Sequence, residues 1–150
     1  MRHLSAALAA LVLCTTSTAF ADASAVRVER ARTGEPLPGV AMMAGYLTLT
    51  NAGTATIELR GASSDAFDRI EIHRTIVEDG QARMEPVDAI AIDPGERLRL
   101  EPGGLHLMMF RPQRVPQVGD TMSIVLHTDS GPIHVRMDVV DRATLLEQAQ

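Results

Sequence analysis

Gly45-Tyr46-Leu47-Thr48-Leu49-Thr50, followed by Asn51-Ala52-Gly53 and then by Thr56-Ile57-Glu58-Leu59-Arg60, reads as a strand, a turn and a second strand. Leu47 and Leu49 alternate with Tyr46, Thr48 and Thr50, and Ile57 and Leu59 alternate with Glu58 and Arg60. Each run therefore has one apolar face and one polar face at a period of two. The same alternation recurs in Ala25 to Glu29, Arg69 to Arg74, Arg83 to Val87, Arg97 to Leu100, Leu105 to Phe110, Thr121 to His127 and Ile133 to Val140. Glu78-Asp79-Gly80, Asp93-Pro94-Gly95, Pro102-Gly103-Gly104, Val118-Gly119-Asp120 and Asp129-Ser130-Gly131 separate the runs, and each supplies the residues that tight turns demand. Helix-period segments are nearly absent, although Ala143 to Gln150 is able to add a helical turn. The pattern predicts an all-β sandwich of about 8–9 strands. Its core must be aliphatic, because Tyr46, Phe67 and Phe110 are the aromatic residues available after residue 21.

Arg2 and His3 precede an apolar run from Ala6 to Cys14, and Ala19-Phe20-Ala21 is a small-x-small cleavage pattern. This is the layout of a secretory signal peptide over residues 1–21, cleaved after Ala21. The apolar run is shorter than the roughly 20 residues of a transmembrane helix. Residues 22–150 are thus expected as one domain, a monomer exported to the periplasm with no membrane insertion after cleavage. Cys14 is the single cysteine, and Leu13 before it is not the small residue that a lipoprotein cleavage site prefers. The mature domain then has no thiol, so soft-metal chemistry must use methionine or histidine. The chain carries 14 basic residues, all arginine, against 19 acidic ones, for a formal net charge of −5. An acidic balance argues against nucleic acid or anionic membrane surfaces as partners.

In Leu105-His106-Leu107-Met108-Met109-Phe110 the strand period puts Leu105, Leu107 and Met109 on one face and His106 with Met108 on the other. Ile70 and Ile72 mark the inward face of an earlier strand, so His73 points the other way. The turn at Glu78-Asp79-Gly80 returns the chain through Met84, within a position or two of direct opposition to His73. If these two His/Met pairs converge, they form a site of two imidazoles and two thioethers. Thioethers are neutral and polarisable and favour Cu(I), whereas Zn(II) prefers imidazole, thiolate or carboxylate. Lacking an anionic thiolate, such a site suits release of the ion more than permanent storage.

The spacing His73, ten residues, Met84, twenty-one residues, His106, one residue, Met108 resembles the H-x10-M-x21-H-x-M signature of the PCu(A)C periplasmic copper chaperone family. Glu71-Ile72-His73, Met84-Glu85-Pro86-Val87 and Leu100-Glu101-Pro102-Gly103-Gly104-Leu105-His106 agree with it, and the likeness runs from about Gly45 to Val139. The resemblance implies a cupredoxin-like Greek-key β-sandwich that binds one Cu(I) as cargo at His73, Met84, His106 and Met108. It also implies delivery toward the CuA centre of cytochrome c oxidase, with oxidase subunit II or a second copper chaperone as the copper-accepting partner. Two features depart from the family: Arg74 and Thr75 stand where many members have a further Met, and the tail from Arg142 to Gln150 has no His or Met.

His127 continues an outward series with Ser123 and Val125, and His134 shares a face with Arg136 and Asp138, so both read as surface residues. Met109 should point into the core, while Met42 and Met43 either pack there or form a soft collar near the site. A blue-copper electron carrier needs a cysteine thiolate, which the mature domain lacks. No Ser-His-Asp order, His-Glu-x-x-His or phosphate loop is present, and the reading is of a protein that is not an enzyme. Copper buffering or resistance in the same compartment, and a metal-free adhesion or assembly domain, remain as alternatives.

Overall fold

The computed structural model describes residues 25–147, so the signal peptide expected over residues 1–21 lies outside it. Ten strands follow in order: β1 (Val26–Gly34), β2 (Met42–Asn51), β3 (Ile57–Ser63), β4 (Phe67–Glu78), β5 (Gln81–Pro86), β6 (Ile90–Ile92), β7 (Arg97–Leu100), β8 (Leu105–Pro112), β9 (Thr121–Thr128) and β10 (Gly131–Val140). A short helix, α1 (Arg142–Glu147), closes the described chain. The all-β expectation holds. The added strand is β6, and β2 begins at Met42 rather than Gly45, so Met42 and Met43 belong to a strand.

The strands run β5-β4-β8-β2-β1-β10-β9-β3-β6, with β7 on β2 and a further pairing of β3 with β4. That last contact, Ala62 opposite Ile70, closes β4-β8-β2-β1-β10-β9-β3 into a seven-stranded barrel. Two packed sheets were expected. Strand alternation separates an inner from an outer face but does not say whether a twisted sheet meets its own edge. All pairings are antiparallel except β1 with β10. The interior holds Leu47, Leu49, Leu59, Leu107, Met109, Ile124, Leu126 and Met137, each at most 2% exposed. The core is aliphatic and methionine-rich, as the composition requires.

Two turns set the geometry that follows. Asp79 and Gly80 both take positive φ, 51° and 76°, between Glu78 and its ladder partner Gln81. Two successive positive-φ residues are what a two-residue hairpin needs to match strand twist, and Asp-Gly is the pair that tolerates them. They fix the β4/β5 register with Thr75 opposite Met84 and His73 opposite Pro86. At the other turn the Glu101 N–H donates to the Leu105 carbonyl at 2.7 Å and Gly104 N–H to the Glu101 carbonyl at 3.0 Å, with Gly103 at φ 79°. This turn launches β8 from the edge of the ladder it shares with β4.

Candidate metal centre

His73 on β4 stands directly opposite His106 on β8, and Glu71 opposite Met108. Ladder partners share a face, so Glu71, His73, His106 and Met108 all project to the outside of the barrel. Ile70, Ile72, Leu107 and Met109 fill its inside. The two imidazole centroids are 6.1 Å apart with planes inclined by 50°. Outward is not the same as exposed: His106 is 3% and Met108 8% accessible, and the His73 side chain is 13%. Phe110 covers one side, its ring centroid 6.3 Å from that of His73.

The protonation pattern follows from the anchors. His106 Nδ1 lies 3.1 Å from the Gly104 carbonyl, which can only accept, so Nδ1 carries the proton and donates. His73 Nε2 lies 2.8 Å from a carboxylate oxygen of Glu71 and donates to it. The opposite nitrogens, His106 Nε2 and His73 Nδ1, are buried and have no hydrogen-bond partner. Buried polar atoms in folded proteins are nearly always paired, and an unpaired one calls for an explanation such as an absent ion. Here two free lone pairs sit on neighbouring rings beside a thioether. Burial, reinforced by the nearby His73, pushes the His106 imidazole below its ordinary pKa against the opposing effect of the Gly104 carbonyl. That keeps the ring neutral and able to ligate.

An outer layer orients the rings. Arg69 Nε donates to Glu71 at 2.8 Å, and its guanidinium sits 4.1 Å over the centre of the Phe110 ring. Arg69 thereby holds both the carboxylate behind His73 and the aromatic cover. Carboxylate-backed histidine is the arrangement metal sites use to fix tautomer and raise ligand basicity. Glu71, Arg69 and Phe110 were not singled out from sequence. The strand period, which puts residues 69, 71 and 73 on one face, was the available signal.

Met84 is on the same outward face but is not gathered in. It lies on β5, one strand out from His73 and two residues from opposition, and is 54% exposed. β5 ends the strand order, so nothing packs against its far edge in the described ladder. His127 and His134 are exposed on β9 and β10, and His127 Nε2 is 2.8 Å from Ser63 Oγ on β3. Among the described residues no three His, Cys, Asp or Glu side chains gather to cage a metal.

The barrel and its placement of strands define a small all-β domain of the PCuAC type. The copper-bound PCuAC domain from PmoF2 superposes with TM-score 0.66 at 21% identity, covering 78% of this chain and 93% of that one. Apo-DR1885 from Deinococcus radiodurans matches with TM-score 0.62 at 28% identity over 95% of this chain and 97% of its own. Its Cu(I) form matches at 27% over 77% of each, with TM-score 0.61. Residues 21–139 match the family model "Putative lipoprotein LpqE-like", and the chain belongs to that family, which is the PCu(A)C family. The "Putative lipoprotein Lxx21020" of Leifsonia xyli is 30% identical over 94 residues, 62% of this chain. That match spans 57% of the relative's length.

Proposed function

We propose that this chain is a copper chaperone that binds one Cu(I) through His73, Met84, His106 and Met108 and passes it to an accepting protein outside the cytoplasm. The observation that carries the reading is the pair of buried, unpartnered imidazole nitrogens, His73 Nδ1 and His106 Nε2, on the face that also holds Met108. Family membership and the Cu(I)-bound form of DR1885 support it.

The arrangement explains how an ion can be held and still be released. Two nitrogens and one sulfur are preorganised by the β4/β8 ladder and by Glu71 and Gly104, so little ordering is needed on binding. Met84 is the mobile fourth donor: an exposed, unbranched side chain on an edge strand reaches in when the ion arrives and withdraws when an acceptor competes. All four donors are neutral, so the loaded site carries only the single charge of Cu(I), and no thiolate traps it. Export is supported by Ala19-Phe20-Ala21 and by the lipoprotein descriptions of the relatives. The acceptor in this reading is the CuA-bearing subunit of cytochrome c oxidase or a second chaperone that serves it.

Anaerobic titration of residues 22–150 with Cu(I) against a colorimetric chelator tests the reading, alongside Met84→Ala and Met108→Leu. One equivalent is expected to bind in the parent and to be lost or strongly weakened in both variants. A parent that takes no copper from the chelator would sink it.

A further inference from the structure

Met42 lies on the same outward face as the copper donors, and we propose that it is the exit thioether of the site, a surface position that takes Cu(I) from Met108 and presents it to the acceptor. The proposal rests on the copper reading above and adds a donor that the four-residue signature does not contain.

The methionines separate by exposure and by face. Met43, Met109, Met122 and Met137 are at most 6% exposed and belong to the barrel core. Met84 at 54% and Met42 at 46% are the exposed ones among the described residues. Both are on the ligand face. In the β2/β8 ladder Ala44 is opposite Met108 and Met42 opposite Phe110, which places Met42 one strand across and two residues along from Met108. Such diagonal neighbours are roughly 7–8 Å apart, within reach of long side chains. Met84 has the corresponding diagonal relation to His73 on the other flank. Across the adjacent strands β5-β4-β8-β2 the donors thus run Met84, His73 with His106, Met108, Met42, exposed at both ends and buried between.

The surroundings of Met42 suit transfer. Leu37 and Val40, 50% and 39% exposed, line a shallow surface depression together with Met42, and Val115, 72% exposed, lines the adjoining one with Leu37 and Val40. An apolar surface of that kind can be covered by an acceptor and shields a thioether-bound ion from water. An exposed methionine in a strand is otherwise a poor choice, since β-branched and aromatic residues fit the pleat better and methionine's usual place is the core. The exchange is a ligand substitution. A bond from copper to Met42 Sδ forms as the bonds to the imidazoles and then to Met108 break. The metal stays Cu(I), and neutral donors on both sides mean that no electron or proton moves.

The test uses the mature chain with 13C-methyl-labelled methionines, titrated anaerobically with Cu(I), together with the rate of copper transfer to a colorimetric chelator. The Met42 methyl signal is expected to shift or broaden with Cu(I) while the Met43 methyl stays still. Met42→Leu keeps volume and apolar surface but removes the sulfur. It should leave affinity within about threefold and slow transfer by about tenfold, the effect of about 1.4 kcal/mol on the transfer barrier, while Met43→Leu changes neither. A silent Met42 methyl, or wild-type transfer by Met42→Leu, overturns the proposal even though copper still binds, and leaves Met42 as an apolar surface residue. A parent chain that binds no Cu(I) removes the copper reading and this proposal together.

Discussion

His73 and His106 face each other directly across the β4/β8 ladder, and each has one ring nitrogen anchored and the other buried without a partner. The anchors differ in kind: a carboxylate for His73 and a backbone carbonyl for His106. The backbone anchor is fixed by the turn at Gly103 and Gly104, but the carboxylate anchor depends on Glu71, which Arg69 in turn positions.

Replacing Glu71 should therefore weaken metal binding without touching a ligand. Loss of such an orienting partner costs about 10–100-fold in metal affinity. Glu71→Gln, whose amide oxygen can still accept from Nε2–H, is expected near the lower end of that range and Glu71→Ala near the upper. Competitive Cu(I) titration measures the effect, and 15N shifts of the His73 ring report whether the tautomer is lost. Unchanged affinity in Glu71→Ala would mean that the carboxylate is a surface ion-pair partner of Arg69 only.

Met108 and Met109 are adjacent in sequence and opposite in face, so they should separate function from stability. Met109 is 0% exposed in the barrel core, and truncation to Ala should cost about 2–5 kcal/mol while sparing copper binding in the folded fraction. Met108→Leu conserves volume and should cost less than about 1.5 kcal/mol while abolishing tight Cu(I) binding. Urea unfolding and copper titration of the two variants give the comparison. If both variants bind copper like the parent, the parity argument for the ligand face fails.

This parity was legible in the sequence. Leu105-His106-Leu107-Met108-Met109 assigned its own faces, and Asp79-Gly80 announced the hairpin that brings Met84 within two positions of His73. Two things were not legible. Alternation places His106 and Met108 away from the core but does not reveal that β4 and β2 flank β8 on both sides, so their burial came from tertiary context. Closure of the barrel depends on the single pairing of Ala62 with Ile70, a long-range contact that no local pattern encodes.

Asn51, at the end of the first alternating run, reads as a turn residue but is fully buried. Its amide donates to the carbonyls of Ala55 at 2.8 Å and Ile92 at 2.9 Å, and its Oδ1 accepts the Gly53 N–H at 2.9 Å. One side chain thus ties the end of β2 to the β2/β3 turn and to β6. Asn51→Ala leaves these buried groups unpaired and should lower stability by about 1–3 kcal/mol or more. Asn51→Asp should be no better, because it loses both donors to the carbonyls. Denaturant unfolding of the two variants decides, and a stability loss under about 0.5 kcal/mol would show that water replaces the side chain.

Asp129, in the turn between β9 and β10, offers a pH test that touches none of the proposed copper donors. Its Oδ1 accepts the Glu58 N–H at 2.9 Å, linking the β9/β10 turn to β3 next to the register shift between Leu59 and Gly61. That hydrogen bond, aided by Ser130 and Arg60 against a smaller effect of burial, holds the carboxyl below its ordinary pKa. A depressed folded-state value means that the unfolded chain takes up the proton first as pH falls. The stabilisation is present above the ordinary carboxylate range and is lost as pH drops through the folded value. In Asp129→Asn the amide oxygen still accepts the N–H, so the ladder link persists without the charge. Unfolding midpoints taken from about pH 5 down to about pH 2 should therefore fall less steeply in Asp129→Asn than in the parent. Asp120 and Asp141, also depressed by hydrogen bonds, titrate alike in both proteins and cancel in the difference. Parallel slopes would mean that Asp129 and its link to β3 do not contribute to the acid sensitivity.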